Sequence, residues 1–236
     1  MHDFSLHYSL RKSIFLLFHF TIGYFALYPY VLVNFVELVG LGVWRTNGTI
    51  DIVYSLLMLV VSIFLTRDLL LRSINVLADH PLKTFKIILT TFSFMLFSSF
   101  VLNFIISYLS GLGDSANQSY IIDLFKDYPY LIIIQALVYA PIVEEIMFRG
   151  LIFGSLAKKS IPLAMIVSSL LFGLAHVYDS LLSGNFADLW FIPTYAMLGY
   201  FLNRAYLKSG TIVSSMALHF MNNALGLLAI VVVGMF

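Results

Sequence analysis

The chain has 236 residues, of which 61% are hydrophobic and 11% are charged, and its formal net charge is +1. Soluble domains are about 45–50% apolar and about a quarter charged, so this composition is typical of a polytopic membrane protein. The near-zero charge gives no indication of a nucleic-acid partner. The absence of cysteine excludes disulfides, thiol nucleophiles and thiolate metal sites.

Seven stretches approach or exceed the roughly 20 apolar residues that a membrane-spanning helix needs. They are 13–39, 50–66, 86–109, 130–157, 161–178, 189–206 and 211–236. Asn222, Asn223 and Gly226 interrupt the last stretch, which therefore counts as one helix or two. The sequence predicts an all-α, polytopic bundle of seven to eight transmembrane helices, with residues 1–236 forming a single membrane domain.

The distribution of Lys and Arg predicts the orientation of this bundle. The connections on one side carry only Arg45 and Lys126, whereas ten basic residues lie on the other side: Arg11, Lys12, Arg67, Arg72, Lys83, Lys86, Lys158, Lys159, Arg204 and Lys208. Because cytoplasmic connections are enriched in Lys and Arg, we predict that the N-terminus is cytoplasmic. The predicted partner of the helices is the lipid bilayer. Segment 67–86 is then a cytoplasmic connection with an amphipathic helix, and 110–128 is the longest external connection.

Glu144, Glu145 and Arg149 are ionisable residues within an otherwise apolar span. An ionised group at this depth costs about 2.5–3.5 kcal/mol on insertion scales, and such groups usually face a partner or a wet cavity. Glu145 and Arg149 have the i,i+4 spacing of an ion pair, while Glu144 is about 140° away from Arg149 around the helix and is left free. Pro141 predicts a kink just before the pair. The alternative is a salt-bridge network that only locks the bundle.

A second polar group lies in the stretch 161–178. Phe172 and His176 share one helix face at i,i+4, so the aromatic ring can pack beside the imidazole and orient it. Gly173 and Ala175 are small enough to let another helix approach closely. Taken alone, a single histidine in an apolar helix is as often a satisfied packing residue as a functional one.

A third polar group lies in the last stretch. His219 and Asn223 are again i,i+4 on one face, with Asn222 as a near competitor at i+3. The alternative is polar contact between helices, which is worth only about 0.6–2 kcal/mol.

Spacing places these groups at similar depths. Glu144 lies sixteen residues before the turn at Ser160 and His176 lies sixteen after it, so both are about 24 Å from that turn. His219 lies ten residues beyond Ser209, about 15 Å deep, which is close enough to converge once the helices tilt. A carboxylate and two imidazoles are therefore predicted to form one site.

The chemistry that this site predicts is amide hydrolysis within or near the membrane. No HExxH helix and no GxSxG elbow occurs. Glu144 can act as the base that activates a water held by His176, and His219 and Asn223 can donate hydrogen bonds to the developing oxyanion. We expect no cofactor; the alternative is a zinc ion bound by Glu144, His176 and His219, which are suitable zinc ligands.

The three groups together resemble the EExxxR, FxxxH and HxxxN/B motifs of the CPBP family, which comprises CAAX prenyl proteases and bacteriocin-processing (Abi) membrane proteins. The matching residues are Glu144, Glu145, Arg149, Phe172, His176, His219 and Asn223. They occur in order within about 128–226, which would carry the catalytic core.

The resemblance implies an intramembrane glutamate protease in which Glu144 is the catalytic base and His176 helps to activate the water. It further implies that His219 and Asn223 form the oxyanion site, and that Glu145 and Arg149 support the architecture. It implies substrates such as prenylated CAAX proteins or, for a short bacterial member of the plasma membrane, bacteriocin or signalling peptides. It also implies a cavity that opens to the cytosol, whereas the spacing puts Glu144 and His176 slightly nearer the outer face.

Two other functions remain open at this point. One is a non-catalytic membrane partner that binds a bacteriocin or a sensor protein in the same pocket and confers self-immunity. The other is a proton-coupled transporter that uses Glu144 and Glu145, although the sequence shows no internal repeat of the kind that transporters often have.

Overall fold

The structure is a computed structural model that describes residues 10–45 and 49–233. Within those ranges every regular element is helical and there is no strand, so the predicted all-α membrane bundle is confirmed. The last three residues of the predicted stretch 211–236 lie outside the described part.

Ten helices make up the described bundle. They are α1 (Arg11–Leu38), α2 (Thr49–Leu65), α3 (Arg67–Asp79), α4 (Pro81–Ser110), α5 (Ala116–Asp127), α6 (Pro129–Ala157), α7 (Ile161–His176), α8 (Tyr178–Leu182), α9 (Ile192–Ser209) and α10 (Ile212–Val233). Single 3₁₀ segments follow α1 at Gly42–Arg45 and precede α9 at Phe186–Phe191.

Four of these helices, α1, α4, α6 and α10, are long and apolar enough to cross a membrane. The pair α2 and α3, bent by 75°, would make a fifth span if it crosses as one unit, and α7 is a shorter apolar helix. Length and hydropathy thus support four to five spans, and the count of seven to eight stays a prediction.

The last stretch, for which one or two helices were both possible, forms one: α10 runs without a break from Ile212 to Val233. Asn223 does not compete with the helical backbone; its side-chain amide donates to the carbonyl oxygen of Ala136 on α6 at 2.9 Å. Gly226 lies in open space and leaves the helix intact. The polar residues therefore connect two helices and do not end one.

Local sequence signals set several helix ends. Ser115 and Ser160 begin α5 and α7, where each hydroxyl accepts a hydrogen bond from a backbone N–H three residues later. Gly111 and Gly210 end α4 and α9 with φ angles of 71° and 77°, the left-handed conformation that glycine adopts without strain.

The segment 67–86 contains the predicted amphipathic helix, here α3, and part of its apolar face meets protein. Leu69 is buried against Phe153, Tyr206 and Ile212 at the end of the bundle that holds the basic connections. The connection is also shorter than the predicted 67–86, because α4 begins at Pro81 and includes Lys83 and Lys86.

Helices α7 and α9 approach each other closely because glycines face the contact. A Cβ atom built on Gly173 would lie 2.9 Å from the carbonyl oxygen of Ile192 and 3.0 Å from the backbone nitrogen of Ala196. A Cβ on Gly199 would lie 3.1 Å from the Cα of Ser169. The close approach predicted for Gly173 is confirmed, and it sets the distance between the two helices that hold His176 and its surroundings.

Replacing Gly173 by alanine should destabilise the protein by about 1–3 kcal/mol, because the added methyl meets backbone atoms that cannot move aside. Thermal unfolding of the purified protein in detergent measures this loss. The matched control is Gly226→Ala, a helical glycine with open space around its Cβ position, which should leave stability unchanged or slightly higher. Equal melting temperatures for the two variants would contradict the packing argument.

Candidate active site

Helix α6 contains two π-helical stretches, one on each side of the acidic motif. It is π-helical over Gln135–Tyr139, α-helical over Ala140–Glu145 and π-helical again over Ile146–Phe153. The first wide turn lies directly before Pro141, whose ring would clash with a regular preceding turn and which has no N–H to donate. Where Pro141 predicts a kink, the structure has a widened turn. Such π-helical turns are frequent at functional sites.

Glu145 and Arg149 form the predicted i,i+4 ion pair in the interior. The Arg149 Nη1 donates to Glu145 Oε1 at 3.0 Å, and the accessible fraction of both side chains is 0%. Arg149 Nη2 also donates to the carbonyl oxygen of Gly199 on α9 at 3.0 Å, and its guanidinium lies 4.7 Å from the centre of the Phe172 ring on α7. The pair therefore contacts two further helices.

His219 belongs to the same buried cluster, which the sequence did not predict. Its Nδ1 lies 2.8 Å from Glu145 Oε1, and the residue is only 5% exposed. Because Glu145 is ion-paired and acts as an acceptor, Nδ1 carries the proton, and the second ring nitrogen, Nε2, is left for other contacts. We name Glu145, Arg149 and His219 the ion cluster.

Glu144 points away from the ion cluster and faces His176. The distance between Glu144 Oε2 and His176 Nε2 is 3.9 Å, and both side chains are partly accessible, at 25% and 18%. His176 Nδ1 lies 2.8 Å from the carbonyl oxygen of Phe172. Since a carbonyl only accepts, Nδ1 carries the proton and the neutral ring directs the lone pair of Nε2 toward Glu144. The equal spacing from Ser160 thus places the two residues opposite each other.

The His176 ring lies between two aromatic rings. Phe172, the predicted neighbour, has its ring centre 4.4 Å away. On the other side Tyr195 of α9 stacks on the imidazole at 4.5 Å with an interplanar angle of 25°. Sequence reasoning missed Tyr195, because an isolated tyrosine in an apolar helix carries no spacing signal that links it to His176.

Asn222 and Asn223 both border the same cavity as His176 and His219. Asn223 uses one amide N–H for the Ala136 carbonyl, and the other N–H remains available. The structure therefore places His219 and Asn223 along one cavity wall, but with His219 bonded to Glu145 and Asn223 bonded to backbone.

The cavity has a volume of about 950 Å³. It is lined by the C-terminal half of α4, the C-terminal end of α7 and the N-terminal end of α9, so it lies toward the end of the bundle opposite the Lys158–Ser160 turn. Four carboxylates line it, those of Asp51, Asp114, Glu144 and Asp179. Among the described lining residues there is no lysine or arginine.

The predicted zinc ligands do not form a recognisable metal site. Across residues 10–45 and 49–233, no group of three or more His, Cys, Asp or Glu side chains has suitable geometry for a metal ion. The Nδ1 atoms of His219 and His176 are bonded to Glu145 and to a backbone carbonyl, which leaves Nε2 of each ring as the atom that could bind a metal ion. Zinc at Glu144, His176 and His219 remains an untested alternative.

Comparison with known proteins shows which proteins this region resembles. Residues 126–225 match the family model described as Type II CAAX prenyl endopeptidase Rce1-like. The predicted family resemblance is confirmed. The matched region covers α6, α7, α9 and most of α10, and it contains all seven motif residues.

Three curated proteins are similar in sequence. "Putative membrane peptidase YdiL" of Bacillus subtilis is 33% identical over 134 residues, covering 56% of this chain and 50% of that protein. An uncharacterized protein of Mycoplasma capricolum is 30% identical over 187 residues, covering 72% and 53% respectively. The UPF0177 protein YxdF of Lactococcus lactis is 31% identical over 86 residues, covering 36% and 42%. The chain thus spans about half the length of the curated relatives it matches, and no solved structure gives a significant match.

Replacing Arg149 by methionine should destabilise the protein by about 3–5 kcal/mol, because Glu145 would be left as an uncompensated buried charge. The double variant Glu145→Gln with Arg149→Met should recover part of this loss, since it removes both charges. Unfolding in detergent measures both effects.

The control is Lys126→Met, which breaks the exposed pair with Asp123 and should cost less than about 1 kcal/mol. An Arg149→Met protein as stable as this control would show that the ion cluster does not hold the helices together.

Proposed function

We propose that this chain is a membrane-embedded peptidase that hydrolyses a peptide bond of a membrane-associated peptide substrate, with Glu144 as the general base. One observation carries the proposal: two adjacent carboxylates have opposite surroundings. Glu145 is fully buried and neutralised by Arg149, whereas Glu144 faces the cavity and the imidazole of His176. Two acids whose environments differ in this way usually have different roles.

The distance between Glu144 and His176 suits a water between them. At 3.9 Å the two side chains are too far apart for a direct hydrogen bond, and Glu144 Oε2 is buried without a hydrogen-bond partner. A water admitted between them would donate one hydrogen to Glu144 Oε2 and the other to His176 Nε2. Its oxygen lone pair then remains free to attack the substrate carbonyl. Glu144 takes up the proton during the attack and returns it to the departing amine, so the overall reaction consumes one water.

The oxyanion formed by this attack needs hydrogen-bond donors on the same wall of the cavity. Asn223 can supply its second amide N–H, and His219 can donate from Nε2 in the doubly protonated form of its ring. Each such donor is worth about 3–4 kcal/mol in other hydrolases. Phe172 supports both imidazoles, because its ring also lies edge-on to His219 at 5.9 Å.

The lining of the cavity supports a peptide with basic side chains as the substrate. The carboxylates of Asp51, Asp114 and Asp179 attract cations, and amide side chains such as Asn117 and Gln118 can bond to a peptide backbone. With the N-terminus cytoplasmic, as the basic connections favour, the cavity would face the outer side of a bacterial plasma membrane. A prenylated CAAX tail is the other substrate class, which the description of the matched family model supports.

Glu144→Gln should lower cleavage by about 10²–10⁴-fold, because the amide cannot accept the proton from water. The measurement is a mass-spectrometric census of peptide termini in cells that express the native chain or the variant at equal levels. Termini that need Glu144 identify the substrate, and basic residues should be enriched around them.

The matched control is Glu37→Gln, which removes an exposed carboxylate outside the cavity lining and should give the native census. Identical termini from native and Glu144→Gln cells would refute a peptidase with this base. If bacteriocin resistance persisted in those Glu144→Gln cells, the same pocket would serve a non-catalytic immunity partner.

Removing metal ions should leave cleavage intact, because the described residues offer no three-ligand metal geometry. The purified protein is dialysed against EDTA and then assayed on the peptide identified by the census. Activity that disappears with EDTA and returns with added Zn²⁺ would instead support the zinc site at Glu144, His176 and His219.

A further inference from the structure

Tyr195 contacts His176 on the ring face that Phe172 does not cover. The stack, at 4.5 Å and 25°, limits rotation of the imidazole about its bond to Cβ. The hydrogen bond from His176 Nδ1 to the Phe172 carbonyl fixes one edge of the ring, and the two aromatic rings fix its plane. The direction of Nε2 toward Glu144 therefore depends on Tyr195.

The hydroxyl of Tyr195 is itself held from outside the catalytic helices. It lies 2.6 Å from Ser115 Oγ and accepts a hydrogen bond from Asn117 Nδ2 at 3.3 Å. Ser115 is the N-cap residue of α5 and is only 3% exposed. The imidazole is thus connected to the start of α5 through a single tyrosine.

The start of α5 is tied to the bundle by a second contact. The Ala116 N–H donates to Asp188 Oδ1 at 2.9 Å, and the Ser180 hydroxyl donates to Asp188 Oδ2 at 2.6 Å. Asp188 is 3% exposed, so this anchor is buried. Since Asn117 also lines the cavity, the anchored segment is both a wall for the substrate and the support of Tyr195.

We propose that Tyr195 is a positioning residue that holds His176 in its Glu144-facing orientation, and that its hydroxyl couples this orientation to Ser115 and Asn117 at the start of α5. The role in cleavage rests on the proposed peptidase function. The effect on the His176 ring does not, because it follows from the contacts alone.

Substitutions can separate the effect of the Tyr195 ring, which stacks on His176, from the effect of its hydroxyl, which contacts Ser115 and Asn117. Tyr195→Phe keeps the stacked ring and loses the contacts to Ser115 and Asn117, whereas Tyr195→Leu loses both. Ser115→Ala removes the shorter contact from the α5 side and should resemble Tyr195→Phe. The control is Tyr200→Phe, a change on the exposed side of the same helix that does not border the cavity.

The first readout is the rate at which diethyl pyrocarbonate modifies His176 in the purified full chain, followed by mass spectrometry. Tyr195→Leu should raise this rate several-fold, because the uncovered ring face opens to the cavity. Tyr195→Phe and Ser115→Ala should give smaller, matching increases. The exposed His80 serves as the internal reference, and its rate should not change.

The second readout is cleavage of the peptide identified by the census of termini. Tyr195→Leu should lower kcat about tenfold or more with little change in KM, because a misplaced catalytic group costs rate and not binding. Tyr195→Phe should lower kcat less.

The proposal would be overturned if His176 were modified at the native rate in the Tyr195→Leu variant. It would also be overturned if this variant were less stable but kept the native kcat. If Tyr195→Leu does not fold, the labelling rates of Tyr195→Phe and Ser115→Ala decide: native rates in both refute the coupling. If no substrate is found, the peptidase function fails while labelling still decides the role of Tyr195.

Discussion

The structure depends on placing one ionised carboxylate and one guanidinium in a water-free interior. Glu145 and Arg149 are inaccessible to solvent, and each would cost several kcal/mol there without a partner. Their mutual contact leaves other polar atoms of the pair, of which Arg149 Nη2 bonds to a backbone carbonyl of α9, while Glu145 Oε1 also bonds to the imidazole of His219. Because these partners come from different helices, the need to satisfy the charges fixes the rotation of α6 against α9 and α10.

That rotation explains why neighbouring acids differ. When Glu145 points toward Arg149 and His219, the adjacent residue on the helix, Glu144, points to another side. There α7 places His176 Nε2 at 3.9 Å from Glu144 Oε2. The glycine contacts between α7 and α9 then bring Tyr195 onto the imidazole. The helix packing, the ion pair and the position of His176 in the cavity therefore all follow from the rotation of α6. Glu145, which fixes that rotation, is adjacent to Glu144, the proposed general base.

Much of this site could be predicted from spacing along single helices. The i,i+4 relation gave the pair of Glu145 and Arg149, and equal distances from one turn placed Glu144 opposite His176. Contacts between helices that are far apart in sequence have no such spacing pattern. The hydrogen bond between His219 and Glu145 spans 74 positions, and the stacking of Tyr195 on His176 depends on the rotation of α9 against α7. The sequence also could not decide whether α10 is one helix or two, because asparagines that bond to a neighbouring helix resemble a helix break.

The ion cluster has a consequence for how the chain enters the membrane. Helix α6 is synthesised with Arg149 beside Glu145, so the segment inserts as an internally neutralised pair and not as two separate ions. The Gly199 carbonyl is made 50 residues after Arg149, and His219 follows 74 residues after Glu145. Until α10 arrives, the carboxylate lacks its imidazole partner, and the cavity lacks the wall that holds Asn223. Assembly of the candidate site is therefore completed when α10 is added, after α6 is already in place.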